Sequence, residues 1–271
     1  MPGDLRCIVR GGGDLATGVV WRLHRAGLDV VVTELAEPLT IRRTVAVSSA
    51  VRDGIAEVEG LVARRAVDVG AVDSMLAAAE VPVLVAPLLG DLVTRLRADV
   101  VVDARLAKHA LDTRIDDAEL VIGLGPGFTA GVDCHAVVET NRGHRLGRVL
   151  WSGTAEADTG VPGTVAGRGA ERVIRAPLAG TVVWTAAIGE VVDGGSPLGH
   201  IAHGDSSTGI HSPFRGTVRG LIATGTTVDA GLKIADVDPR EDPAACHEIS
   251  DKALAIGGGV LEAVLRHASG R

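Results

Sequence analysis

The sequence predicts an α/β fold in which a doubly wound, mostly parallel sheet is followed by a small all-β domain. Three observations carry this expectation. A short β-rich run, "LRCIVR", opens into the glycine turn "GGGDLATG" and then a helix. Several later apolar runs are too continuous for strands with one wet face. From about residue 172 the pattern changes to short strands that repeat.

The first helix is read from Leu15, Val19, Leu23 and Ala26, which recur at helical spacing before Gly27 as a stop. "LDVVVTEL" follows as the second strand. This β-α-β opening is Rossmann-like, with Gly11, Gly13 and Ala16 filling G-x-G-x-x-[GA]. Gly11 permits the tight turn, Gly13 lets a phosphate approach the backbone, and Ala16 keeps helix and strand close. The free N–H groups of the helix start, at Asp14, favour an anion. Glu34 ends the second strand about 20 residues on, where an acid can accept from a ribose hydroxyl. The bland alternative is a glycine turn that only packs a helix on a sheet. "VPVLVAP", "ADVVVDAR" and "AELVIGLGP" continue the strands, with helices over "VDVGAVDSMLAAAE" and "LLGDLVTRLR". Between them, "PLTIRRTVAVSSAVRDG" fits no standard crossover, and its Arg42 and Arg43 are expected to be solvated.

The stretch "VIGLGPGFTAGVDCH" forms a second glycine loop, with Gly123, Gly125, Gly127 and Gly131 placed to offer backbone N–H groups to an anionic cofactor. It ends in Asp133, Cys134 and His135, which form the candidate catalytic group. A thiol beside a histidine and a concavity of N–H groups can be lowered in pKa and become nucleophilic. The alternative is a small buried cysteine. Neighbours on a strand face opposite ways, so Cys134 and His135 share a pocket only if the strand begins after them.

In the last third, "RAPLAGTVVWTAAIGEVVDGGSPLGHI" aligns with "HSPFRGTVRGLIATGTTVDAGLKIADV". Two such halves resemble the barrel-sandwich hybrid of biotinyl and lipoyl carrier domains. Those carriers hold a Lys on the hairpin between the halves; here that hairpin, "AHGDSSTGIH", has none, which disfavours a covalent carrier. His200, His203 and His211 cluster around it without an acidic or thiol partner at ligand spacing, so no metal is assigned. The domains are read as 1–170, 171–240 and a helical tail, 241–271, packed on the first.

Composition bounds the rest. At 271 residues, 46% hydrophobic and with net charge -7, the chain lacks the positive field that nucleic acid or anionic lipid demands. "VPVLVAPLL" is about half the length of a bilayer-spanning helix, and "MPGDLRCIVR" carries charges where an export signal is apolar. Cys7, Cys134 and Cys246 are far apart, which suits a reducing cytoplasm. Cys7 reads as strand packing, and Cys246 beside His247 as a second candidate thiol.

Four long stretches, "VRGGGDLATGVVWRLHRAG", "TELAEPLTIRRTV", "VIGLGPGFTAGVDCHAVVETNRGHRLGRV" and "ISDKALAIGGGVLEAV", together resemble the YqeB-type accessory proteins of selenium-dependent molybdenum hydroxylase systems. The chain is also similar to XdhC-type molybdenum cofactor chaperones. The resemblance implies a cytoplasmic maturation factor whose partners are a molybdenum hydroxylase and its cofactor-maturation proteins, with self-association left open. Three functions follow as expectations. The first is a factor binding a molybdopterin-type dinucleotide across the two glycine loops, with Cys134 handling the chalcogen. The second is an NAD-dependent oxidoreductase using NAD(P) or FAD. The third is a scaffold that docks the hydroxylase without catalysis.

Overall fold

The structure is a computed structural model that describes residues 5–109, 111–158, 160 and 167–270; the first four residues of the "MPGDLRCIVR" stretch lie outside these. The chain forms two compact units. The first takes the chain up to Pro38, resumes at Ala46 and takes it again from Ile249, while the second holds Leu39–Val45 and the stretch ending at Glu248.

In the first unit the strands are β1 (Arg6–Arg10), β2 (Asp29–Glu34), β3 (Ile55–Val58), β4 (Leu61–Arg65), β5 (Val81–Val85), β6 (Val100–Asp103), β7 (Leu120–Leu124), β8 (Thr129–Ala130), β9 (Ala136–Val138), β10 (Val149–Leu150) and β11 (Gly153–Thr154). The helices are α1 (Asp14–Arg25), α2 (Ala50–Asp53), α3 (Val72–Ala77), α4 (Leu92–Leu96) and α5 (Asp251–Ser269). Nine strands make one sheet in the order β10-β9-β7-β6-β1-β2-β5-β4-β3, and β8 pairs β11 separately. The β1, β6 and β7 strands are buried on both faces, as their unbroken apolar runs require.

Amphipathic spacing explains α1 and α5. In α1, Ala16, Val19, Val20 and Leu23 are buried, Asp14 opens the helix, and Arg22, His24 and Arg25 close it, a charge order that suits the helix dipole. Ala26 caps it, and Gly27 turns away at φ +83°. The α5 helix starts at Ser250, whose hydroxyl accepts from Ala253 N–H at 3.2 Å, and buries Ile256, Val260, Ala263 and Val264. Each of Ile256, Val260 and Val264 contributes about 1.5 to 3 kcal/mol by leaving water.

In the second unit the strands are β12 (Val173–Arg175), β13 (Gly180–Trp184), β14 (Val191–Val192), β15 (Pro197–His203), β16 (Ser206–His211), β17 (Gly216–Leu221), β18 (Thr227–Val228) and β19 (Lys233–Asp238). They form two four-stranded antiparallel sheets, β12-β19-β17-β14 and β16-β15-β13-β18. Val182, Leu198, Ile201, Val218 and Ile234 fill their core.

The expected fold class is therefore corrected in both parts. In place of a Rossmann-like sheet there is a large mixed one, parallel through its centre, with antiparallel pairs at its two ends, β9 with β10 and β3 with β4. The β3–β4 hairpin turns through Glu59 and Gly60, both at positive φ, a two-residue turn that the alternation in "IAEVEGLVARR" signals and that the sequence reading passed over. In place of a biotinyl/lipoyl barrel-sandwich hybrid there are two separate antiparallel sheets. The repeat is real at the level of sequence, yet periodicity says nothing of pairing: the short strand of each half, β14 or β18, joins the sheet of the other half.

The α1 and α5 helices approach so closely that a Cβ on Gly18 would stand 2.4 Å from the Ala253 carbonyl oxygen, and one on Gly257 would stand 2.3 Å from that of Gly18. Gly258, between two such glycines, faces nothing within 4 Å. We expect Gly18→Ala to destabilise the protein by roughly 1–3 kcal/mol through overpacking. Gly258→Ala should instead stabilise it by roughly 0.5–1 kcal/mol through helix propensity. Urea denaturation of the two variants checks the opposite signs.

Candidate functional site

The carboxyl ends of the parallel strands in the first unit gather most of its polar chemistry. After β1, Gly11 adopts φ +91° and donates to the Thr33 carbonyl at 2.8 Å, which ties the turn to β2. Gly12 is wedged, because a Cβ there would meet Ser48 N at 2.9 Å. Its N–H donates to Glu34 Oε2 at 2.8 Å, while Glu34 Oε1 accepts from Leu35 N–H at 2.7 Å. Glu34 thus braces the turn through both oxygens, a role the sequence reading did not give it. Gly13 differs from its neighbours. It begins α1 in extended backbone with no side-chain cap, a Cβ on it would meet nothing within 4 Å, and its N–H finds no acceptor among the described residues.

Next along the edge, Arg10 and Asp103 end β1 and β6 and are almost wholly buried. Thr113 donates to Asp103 at 2.6 Å and accepts from Arg10, Arg105 grips Asp103 through two nitrogens, and both arginines reach Asp112, at 2.8 and 2.7 Å. Two cations face two anions, so the group is neutral and closed. The Arg10 guanidinium holds the Asp112 carboxyl down to about 2. Glu139, buried beyond β9, accepts from the N–H groups of Thr140, Asn141 and Glu156 at 2.7–2.8 Å. Lys252, on the first turn of α5, is half-buried; its pKa is lowered by burial first and by Arg142 next, against the opposing pull of Asp14, Glu139 and Asp251. None of Arg10, Asp103, Asp112 or Lys252 was singled out from sequence, because strand-end partners far apart in the chain leave no local pattern.

The second glycine loop is built for packing. A Cβ on Gly123 would strike the Phe128 ring at 2.4 Å, on Gly125 the Thr140 hydroxyl at 2.5 Å, and on Gly127 the His109 amide at 2.6 Å. The N–H groups of Gly125 and Gly131 are spent on the carbonyls of Val138 and Cys134. Asp133 accepts from Thr129 N–H at 2.8 Å. The His135 Nδ1 accepts from Val121 N–H at 3.0 Å, so the ring holds the loop against β7, and burial lowers its pKa. Cys134 is fully buried in the core with Val121, Phe128 and Val137. The expected lowering of its pKa is reversed: burial pushes the thiol up to about 11, outweighing the amides of Gly123 and Ala136 that pull it down. Cys7 and Cys246 are buried as well, and burial raises both thiols.

His200, His203 and His211 are spread along the β15–β16 hairpin; His203 pairs with Ser206 near the turn and His211 with Pro197 at the other end. Among the described residues no group of three His, Cys, Asp or Glu is assembled that could hold a metal ion. Arg42 and Arg43, expected to be solvated, instead belong to the second unit; Arg42 is buried and donates to the carbonyls of Ala245 and Glu248, and Arg43 donates to that of Leu221. No described helix is long and apolar enough to cross a membrane.

Fold and site together define a two-unit protein with a strand–glycine–helix turn at the carboxyl edge of a mixed sheet. Over 258 residues, 95% of the chain, it is 47% identical to the uncharacterized protein YqeB of Escherichia coli. The chain spans about half, 47%, of the length of that relative. No family model matches. Similar solved structures include a succinylglutamate desuccinylase/aspartoacylase from Rhodobacter sphaeroides, 17% identical with a TM-score of 0.29 over 86% of this chain and 85% of that one. An aspartoacylase family protein from Mesorhizobium loti is 13% identical, with a TM-score of 0.27 over 86% and 84%. At those scores the likeness carries no argument.

A raised thiol pKa means the fold accommodates the neutral form. The contribution of Cys134 is therefore complete below the ordinary thiol value of 9.0 and is lost as pH rises through about 11. Stability from urea denaturation should fall between pH 9 and 11, and Cys134→Ala should reduce that fall by up to about 2–3 kcal/mol. Equal slopes for the two proteins would contradict the burial of this thiol.

Proposed function

We propose that the first unit binds a phosphate-bearing dinucleotide, of molybdopterin or nicotinamide type, at the turn between β1 and α1, and that this binding serves the maturation of a molybdenum hydroxylase. One observation carries the binding. Of the three consecutive glycines, Gly11 and Gly12 are held by neighbouring backbone, whereas Gly13 leaves an open space and an N–H without an acceptor at the positive end of a 12-residue helix. A phosphate group fits such a place because free N–H groups and the helix dipole act on it together. Glu34 keeps lone pairs beyond those used by Gly12 and Leu35, since a carboxylate offers about four, and a ribose hydroxyl can donate to them.

Asp14 opposes an anion at this helix start, and the positive charge of Lys252 acts against that opposition. The maturation role is supported by the long sequence stretches shared with YqeB-type accessory proteins. The buried, protonated Cys134 gives no support to a chalcogen-carrying step, and none is included.

Because the space beside Gly13 is empty, Gly13→Val tests binding without disturbing packing. We expect the variant to keep the melting temperature of the parent and to lose ligand binding by at least tenfold in calorimetry against NAD, NADP, FAD and molybdopterin dinucleotides. Failure of all these ligands to bind the parent protein would overturn the reading.

A further inference from the structure

The second unit contains a concentration of buried charge that the glycine turn does not explain. Arg42 and Arg172 are 7% and 6% exposed, and the Arg219 side chain 16%. Two carboxylates stand among them, Asp236 and Asp238, both under a tenth exposed. Their capacity is largely taken. Arg240 grips Asp238 through Nε and Nη2, at 2.9 and 2.6 Å, and Asp236 is shared between Arg172 and Lys233, each at 3.3 Å. Arg219 is left with a long 3.6 Å approach to Asp238, and its Nε–H is buried without a hydrogen-bond partner. Arg42 and Arg172 act on Arg219 as like charges, and Asp236 and Asp238 as opposite ones.

A buried guanidinium with an unmet donor and like charges beside it is costly unless something negative completes the set. Its pKa is lowered by burial first and by Arg42 next, with Asp236 and Asp238 pulling the other way. The Arg219 side chain keeps 16% of its surface exposed, and Lys233 and Arg240, which hold the two carboxylates, are 37% and 52% exposed. Planar guanidinium forks match the oxygen geometry of phosphate and carboxylate.

We propose that Arg219, with Arg42 and Arg172 around it, forms a binding site for a small tetrahedral oxyanion, either free or as the phosphate group of a larger ligand. The site lies wholly within the second unit and is independent of the glycine turn. Occupancy satisfies the Arg219 donor.

The test uses the full chain and two probes, inorganic phosphate and a nucleoside monophosphate, with thermal unfolding followed at constant ionic strength set by chloride. Phosphate should raise the melting temperature saturably; a larger effect of the monophosphate would assign the anion to a ligand, and an equal one to the free ion. Arg219→Met keeps the volume and removes the charge. We expect it to raise the melting temperature in chloride alone, because a like-charged neighbour is gone, and to weaken the phosphate response by about tenfold or more, the worth of a charged hydrogen bond. Gly13→Val should leave the phosphate response of this site in place, which separates it from the nucleotide reading. No phosphate-dependent shift in the parent, or an undiminished one in Arg219→Met, would overturn the proposal.

Discussion

The near-contact of α1 with α5 is the constraint on which the first unit depends. Two backbones can approach to the distance seen at Gly18 and Gly257 only where no side chain intervenes, and a third contact of the same kind joins Gly259 to the Gly147 carbonyl, 2.1 Å from where its Cβ would lie. This triangle fixes α1 on the sheet and brings the first turn of α5 near the carboxyl edge. The orientation of Gly13, the electrical surroundings of Asp14 and the placement of Lys252 follow from it.

A second organising principle is the use of carboxylates as braces for backbone. Glu34 holds the Gly12 amide, Asp133 the Thr129 amide, and Glu139 three amides at once. Each anion accepts from backbone N–H groups, and each fixes a loop where the parallel strands end. The Arg10–Asp103–Arg105–Asp112 group instead stabilises by mutual neutralisation. Loops so firmly held form a rigid edge, at which Gly13 leaves an open position.

Local order was legible in the sequence and long-range order was not. Glycine after an apolar run marked the turn at Gly11, and helical spacing marked α1, because those signals span a few neighbouring residues. The antiparallel edges of the large sheet, the exchange of short strands between repeats, and the burial of Arg42 depend on partners chosen in three dimensions. The glycines from 123 to 131 illustrate the ambiguity: a residue without a side chain makes room equally for a ligand or for Phe128, Thr140 and His109, and only coordinates separate the cases. Cys134 follows the same logic, since a run of amides nearby lowers a thiol pKa less than complete burial raises it.

The first unit is assembled from separated segments of the chain, with the helix that completes its core coming after the whole of the second unit. Synthesis on the ribosome runs in one direction, so the apolar stripe of α1, with Val19 and Leu23, emerges long before its partner at Ile256 and Val260 exists. Throughout that interval the nascent unit presents an uncovered seam to the cell. Its maturation is consequently tied to completion of the chain beyond Ser250, and a product released early would carry the glycine turn on a helix with no backing.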